Sequence, residues 1–148
     1  MKEILFRGKH AWGNCWVYGS LIQATNFCCI LDPDDEGDMN YPYLDGDLGA
    51  IDGYTTPVKP ETIGQFTCIL DKNGKRIFEG DILKCDWGFA NGEYTLLTVA
   101  FEDGVYICKP LRAVSQVRYL LYTESETTEV IGNIHDNPEL LGEDNVPR

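Results

Sequence analysis

The 148-residue chain has two histidines, two methionines, half as many basic as acidic residues and no long apolar run, and each scarcity excludes something. A membrane-spanning helix needs about 20 consecutive apolar residues. The chain has no such stretch. The opening MKEILFRGKHAW offers only Ile4, Leu5 and Phe6 as an apolar run, far short of a secretory signal core, so a cytoplasmic protein that does not span a membrane is expected. Twelve Lys plus Arg against 24 Asp plus Glu leave a net charge of −12. Phosphate backbones and anionic membranes are held mainly by Lys and Arg, so nucleic acid is disfavoured as a partner. No Cys-x-x-Cys pair occurs, and His10 and His135 lie far apart, which removes the usual zinc spacings. Phosphate-binding Gly-rich loops and the Gly-x-Ser-x-Gly nucleophile turn are missing as well. Nothing in the sequence therefore argues for catalysis, a metal or another cofactor.

The composition, 43% hydrophobic and 24% charged, is that of a globular chain with a core of its own. Apolar residues come in short runs broken by Gly, Asn and Asp and not at helical spacing, which predicts many short strands. Strands are expected over 4–7, 15–23 and 27–31, with a turn near Gly13-Asn14 between the first two. Further strands are expected over 64–70, 76–78, 80–86, 93–101, 105–110 and 129–134. Asn73-Gly74 marks the tight turn between the first two of these, because glycine reaches positive φ without strain. Residues 111–125 fit either a helix or a strand preceded by a turn, with the strand preferred. The segment 136–142 reads as a short helical turn with Pro138 in its first position. Turn signals every 8–12 residues, together with the closing run 130–134, predict a small SH3-like β-barrel over 58–148. An additional N-terminal β segment over 1–57 would precede it, the whole forming one integrated unit over 1–142.

Six cysteines, Cys15, Cys28, Cys29, Cys68, Cys85 and Cys108, are expected to remain thiols in a cytosolic protein and to pack mostly as small apolar residues. A Cys108–His135–Asp136 nucleophile constellation can be written down, but no local context would lower the thiol pKa.

Residues 32–53 break the strand pattern with Asp, Gly, Pro and Tyr and read as a long acidic loop. Asp32, Asp34, Glu36 and Gly37 imitate the opening of a calcium loop, yet Tyr43 stands where a bidentate Glu is needed. Tyr41, Tyr43 and Tyr54 have no apolar periodicity around them. With Asp35, Asp38, Asp45 and Asp47 they form the candidate partner-binding surface, because interfaces favour such rings.

Three groups of motifs carry a family resemblance. They are Phe6-Arg7-Gly8-Lys9 with 16–22; 58–67 with Asp71-Lys72-Asn73-Gly74-Lys75 and 77–82; and 130–134 with 137–141. In this order they resemble the YopX family of phage and prophage proteins over nearly the whole chain. Cys68 stands where members often have glycine. The resemblance implies a phage- or prophage-encoded cytosolic protein, β-rich and self-associating, and it supplies no catalytic residue. The functional expectation is a non-enzymatic accessory or interaction protein, forming a homo-oligomer or binding a host or phage protein. An acidic inhibitor that mimics nucleic acid toward a host protein is the alternative, and an enzyme without a recognisable motif a further one. The charge itself is local: residues 32–52 hold eight acidic groups and residues 124–144 seven, neither with any Lys or Arg, leaving nine acidic against twelve basic elsewhere.

Overall fold

The structure is a computed structural model that describes residues 2–32, 55–86, 94–111 and 117–141. The expected acidic loop over 32–53 lies outside these residues beyond Asp32. The chain divides into two compact units between Gln65 and Phe66.

In the first unit, strands β1 (Phe6–Lys9), β2 (Trp16–Gln23), β3 (Cys28–Leu31) and β4 (Thr55–Pro57) pair antiparallel in sequence order. β1 also pairs through Phe6 and Arg7 with the start of β5 (Gly64–Leu70). Cys29, Ile30 and Val58 are its buried apolar residues. A 3₁₀ turn, Pro60–Thr62, follows Lys59, whose extended backbone is what a following proline imposes. The Thr62 hydroxyl accepts the Lys9 N–H at 2.8 Å and donates to the Lys59 carbonyl at 2.7 Å. Together with Lys59 N–H to Lys9 O at 2.8 Å, these bonds pin the turn to β1.

In the second unit the later part of β5 pairs with β6 (Arg76–Phe78). A five-stranded antiparallel sheet follows, from β7 (Asp81–Cys85), β8 (Thr95–Glu102), β9 (Val105–Pro110), β10 (Tyr119–Leu120) and β11 (Thr128–Asn133), in the order β10-β9-β8-β7-β11. Pairing shows which residues share a face: Leu83, Leu97 and Cys108 lie on one side with Cys85 and Val99. That side forms the core with Ile77 and with Leu121 of the one-turn helix α1 (Leu121–Glu124), all fully or almost fully buried. Ile82, Leu96 and Ile107 are buried on the opposite side, so β7 and β8 read as nearly continuous apolar runs.

The expected barrel is corrected by this order. Among the described residues no pair joins β10 to β11, and the sheet is open. The physical reason lies at β11, whose outer edge bonds to the turn between β5 and β6 instead of to another strand. Lys72 N–H donates to Thr128 O at 3.0 Å and Val130 N–H to Asp71 Oδ2 at 2.9 Å. Residues 119–124 combine both readings of the ambiguous segment, a two-residue strand running into a helical turn. The C-terminal helical turn is present as the 3₁₀ turn Pro138–Leu141, with Pro138 leading it.

Gly74 has φ of +80°, as its turn requires, and Gly80, at +88°, leads into β7. Cys68 has φ of +66°, although it carries a side chain. It sits where β5 holds extra residues against β6, between the Phe66–Phe78 and Leu70–Arg76 pairs, and the Thr67 hydroxyl spans the irregularity by donating to Ile77 O at 2.8 Å. A left-handed backbone at a non-glycine residue costs roughly 1–2 kcal/mol. Cys68→Gly is therefore expected to raise stability by about 1 kcal/mol. Chemical denaturation would register it as a higher midpoint at unchanged slope, and a lower midpoint would show that the Cys68 side chain contributes more than the strain costs.

Candidate functional site

Tyr41, Tyr43, Tyr54, Asp35, Asp38, Asp45 and Asp47 all lie outside the described residues. What is visible is where their segment leaves and returns, because Leu31 and Thr55 are direct partners across β3 and β4.

A charged site that the sequence reading did not single out lies on β1. Register places Lys9 opposite Trp16 and Arg7 opposite Tyr18, so two cations and two rings share one face. The Arg7 guanidinium carbon is 4.6 Å from the Trp16 ring centre and the Lys9 ammonium 5.6 Å. Both cations are buried, and each such contact contributes about 0.5–2 kcal/mol. The period-2 spacing of Arg7 with Lys9 and of Trp16 with Tyr18 was the available signal, but only the register puts them together.

On the second unit the two ends of the five-stranded sheet differ. At β11, besides the bonds from Asp71 and Lys72, Asn133 N–H donates to Asn137 Oδ1 at 3.2 Å and Asn137 N–H returns to Asn133 O at 2.9 Å. Side chains and turns of the same chain thus occupy this edge. At the other end β10 is the last strand among the described residues. Leu120 there is 54% exposed and Tyr122, in the first turn of α1, 81%. Glu102 bonds Arg118 at 2.8 Å and Lys109 at 3.4 Å, tying the approach to β10 across β9 to β8. Phe101 is exposed near the β8–β9 turn, packed edge-on against Tyr106 with ring centres 4.9 Å apart.

The cysteines divide by burial. Cys29, Cys85 and Cys108 are in cores as expected, but Cys15 and Cys68 are exposed. Cys68 is exposed because the irregularity in β5 interrupts the alternation on which its expected core position rested. Burial first, then the charge of Glu124 and the neighbouring Cys85, pushes the Cys108 thiol up to about 12. Such a thiol stays protonated at neutral pH and is no nucleophile. Asp136 meanwhile accepts from Asn133 Nδ2 at 3.0 Å, and its N–H and that of His135 both donate to Asn133 Oδ1. These residues serve a turn. Among the described residues no group of three His, Cys, Asp or Glu could hold a metal ion. In native protein a thiol reagent is expected to modify Cys15 and Cys68 rapidly, and Cys29, Cys85 and Cys108 only on unfolding. Peptide mapping after labelling would reveal any early modification of Cys108, which would contradict its burial.

The fold and these edges define a mostly β protein of antiparallel sheets with exposed aromatic and aliphatic side chains. The chain belongs to the YopX protein family, whose profile matches residues 6–142. A search of curated proteins finds no match. Among solved structures the chain is similar to protein EF1440 from Enterococcus faecalis, at 24% identity and a TM-score of 0.53, over 96% of this chain and 100% of that one. That likeness shows the fold. No helix among the described residues is long and apolar enough to cross a membrane.

Proposed function

We propose that this YopX protein is a non-enzymatic accessory protein of a phage or prophage that works in the bacterial cytoplasm by binding protein, first of all further copies of itself. One observation carries the reading: the second unit leaves Tyr122, Leu120 and Phe101 at 81%, 54% and 53% exposure. Exposed Tyr and Phe side chains are what interface cores are made from, and in isolation they raise the risk of indiscriminate aggregation. The Cys108 thiol is buried and protonated, and Asp136 serves a turn.

The test joins mass measurement in solution with affinity capture from host cells carrying the phage. A mass above that of one chain, rising with concentration, supports the proposal. A monomer at every concentration that captures nothing refutes it. Capture of a nucleic-acid-binding host protein, released by salt, would instead favour the acidic chain as a mimic. The acidic segment belongs to the same proposal as a second contact surface. Serine at Tyr41, Tyr43 and Tyr54 is expected to lower oligomer mass or partner capture without changing the thermal midpoint.

A further inference from the structure

We infer that Asn73 is a guarded deamidation site, an asparagine that the β5–β6 turn keeps from reacting with its own backbone and that converts to aspartate or isoaspartate when the turn opens. Asparagine is among the thermally labile residues, and a following glycine leaves the next amide nitrogen unshielded. The chain has two such pairs, Asn73-Gly74 and Asn91-Gly92, of which the second lies outside the described residues. At the first both residues are exposed, and a Cβ added to Gly74 would meet no atom within 4 Å among the described residues, so the pair is open to water. The reaction needs no enzyme. The Gly74 nitrogen, its proton taken by hydroxide, attacks Asn73 Cγ and forms a C–N bond. The Cγ–Nδ2 bond breaks, and Nδ2 leaves as ammonia with a proton from water, which restores the hydroxide. One water then opens the succinimide ring at either carbonyl, giving aspartate or isoaspartate with no change in oxidation state.

The closed turn withholds the attacking nitrogen. Gly74 N–H donates to Asp71 O at 3.0 Å, and the Asn73 and Lys75 N–H groups on either side of it donate to Asp71 Oδ1 at 2.8 and 2.9 Å. Three successive amides are thus fixed by one residue, while Asp71 N–H closes the turn on Lys75 O at 2.8 Å and Gly74 is held at φ of +80°. Attack requires Asn73 to rotate about its backbone until Cγ meets the Gly74 nitrogen, and that nitrogen must give up the proton it shares with Asp71 O. Both movements break bonds that Asp71 makes. Modification therefore proceeds from the open turn, at a rate that follows the open population. It is also one-way. Isoaspartate inserts a methylene into the backbone between Asn73 and Gly74, which alters the spacing of the two amides that Oδ1 receives. Because Oδ2 of the same carboxylate holds Val130, an opening of this turn is recorded covalently at the place where β11 is fastened.

Incubation of the full chain in mildly alkaline buffer, followed by peptide mapping that separates asparagine, aspartate and isoaspartate, tests this. Conversion of Asn73 is expected to be at least about tenfold slower in the folded chain than in the same chain unfolded by urea in the same buffer. Asp71→Ala is expected to speed it in folded protein by about tenfold. Leu121→Ala, which removes core packing and leaves the bonds of the turn in place, is expected to speed it far less for a comparable loss of stability. If Asp71→Ala does not fold, hydrogen exchange on the unmodified chain decides, because protection of the Gly74 amide should match the slowing of deamidation and a mismatch overturns the inference. Equal rates in folded and unfolded chain, no conversion of Asn73 in the unfolded chain, or an equal acceleration in Leu121→Ala would each overturn it as well.

Discussion

Asp71→Ala is expected to destabilise the protein by about 2–4 kcal/mol at pH 7, because one buried carboxylate accepts three backbone N–H groups. Oδ1 takes those of Asn73 and Lys75 at 2.8 and 2.9 Å, closing the β5–β6 turn, and Oδ2 takes that of Val130 at 2.9 Å, fastening the turn to β11. Removing it leaves donors unsatisfied on both elements. The same geometry sets the pH dependence. Burial by itself would raise the Asp71 pKa, but the bonds from Val130, Lys75 and Asn73, with the charge of Lys75, outweigh it and hold the carboxyl below its ordinary value. A depressed folded-state pKa means that the stabilisation is complete above the unfolded value of about 3.9 and is lost as pH falls through the lower folded one. The stability gap between the native chain and Asp71→Ala should therefore be constant from neutrality to about pH 5 and narrow in stronger acid. Denaturant midpoints across that range measure it, and a gap that widened in acid would contradict the assigned role.

Leu121→Ala is expected to cost about 2–5 kcal/mol, while Leu120→Ala and Tyr122→Ala each stay within about 0.5 kcal/mol. Three consecutive residues would thus differ several-fold for one reason. Leu121 is fully buried against Ile77, Leu83, Leu97 and Cys108, and it anchors the point at which strand becomes helix. Its two neighbours point to solvent. Calorimetry on the three variants checks the contrast. An equal loss at Leu120 would mean that its side chain is covered in the free protein.

Much of this architecture was legible from local chemistry. The strands over 64–70, 76–78 and 105–110 fall where alternation and the flanking turn residues put them. Gly74 adopts the positive φ its turn needs, and Pro138 opens the last turn. Cys68 shows the same logic in reverse: this chain holds a cysteine in the conformation glycine prefers. The barrel was not legible, because closure depends on which strand takes the edge of β11. That edge went to a carboxylate 59 residues distant in the chain. The cation pair on Trp16 was out of reach for a like reason, since only the β1–β2 register brings Arg7 and Lys9 to one ring.

The β class, the positions of the tight turns, the acidic segments and the family follow from residues close together in the chain or from motifs read in order. That the sheet is open among the described residues, that Cys108 is buried beyond reactivity, and that Leu121 turns inward between two exposed neighbours comes from the three-dimensional packing alone. Those outcomes depend on burial and on hydrogen-bond partners tens of residues apart, and no local pattern encodes which distant group will fill an edge or cover a side chain.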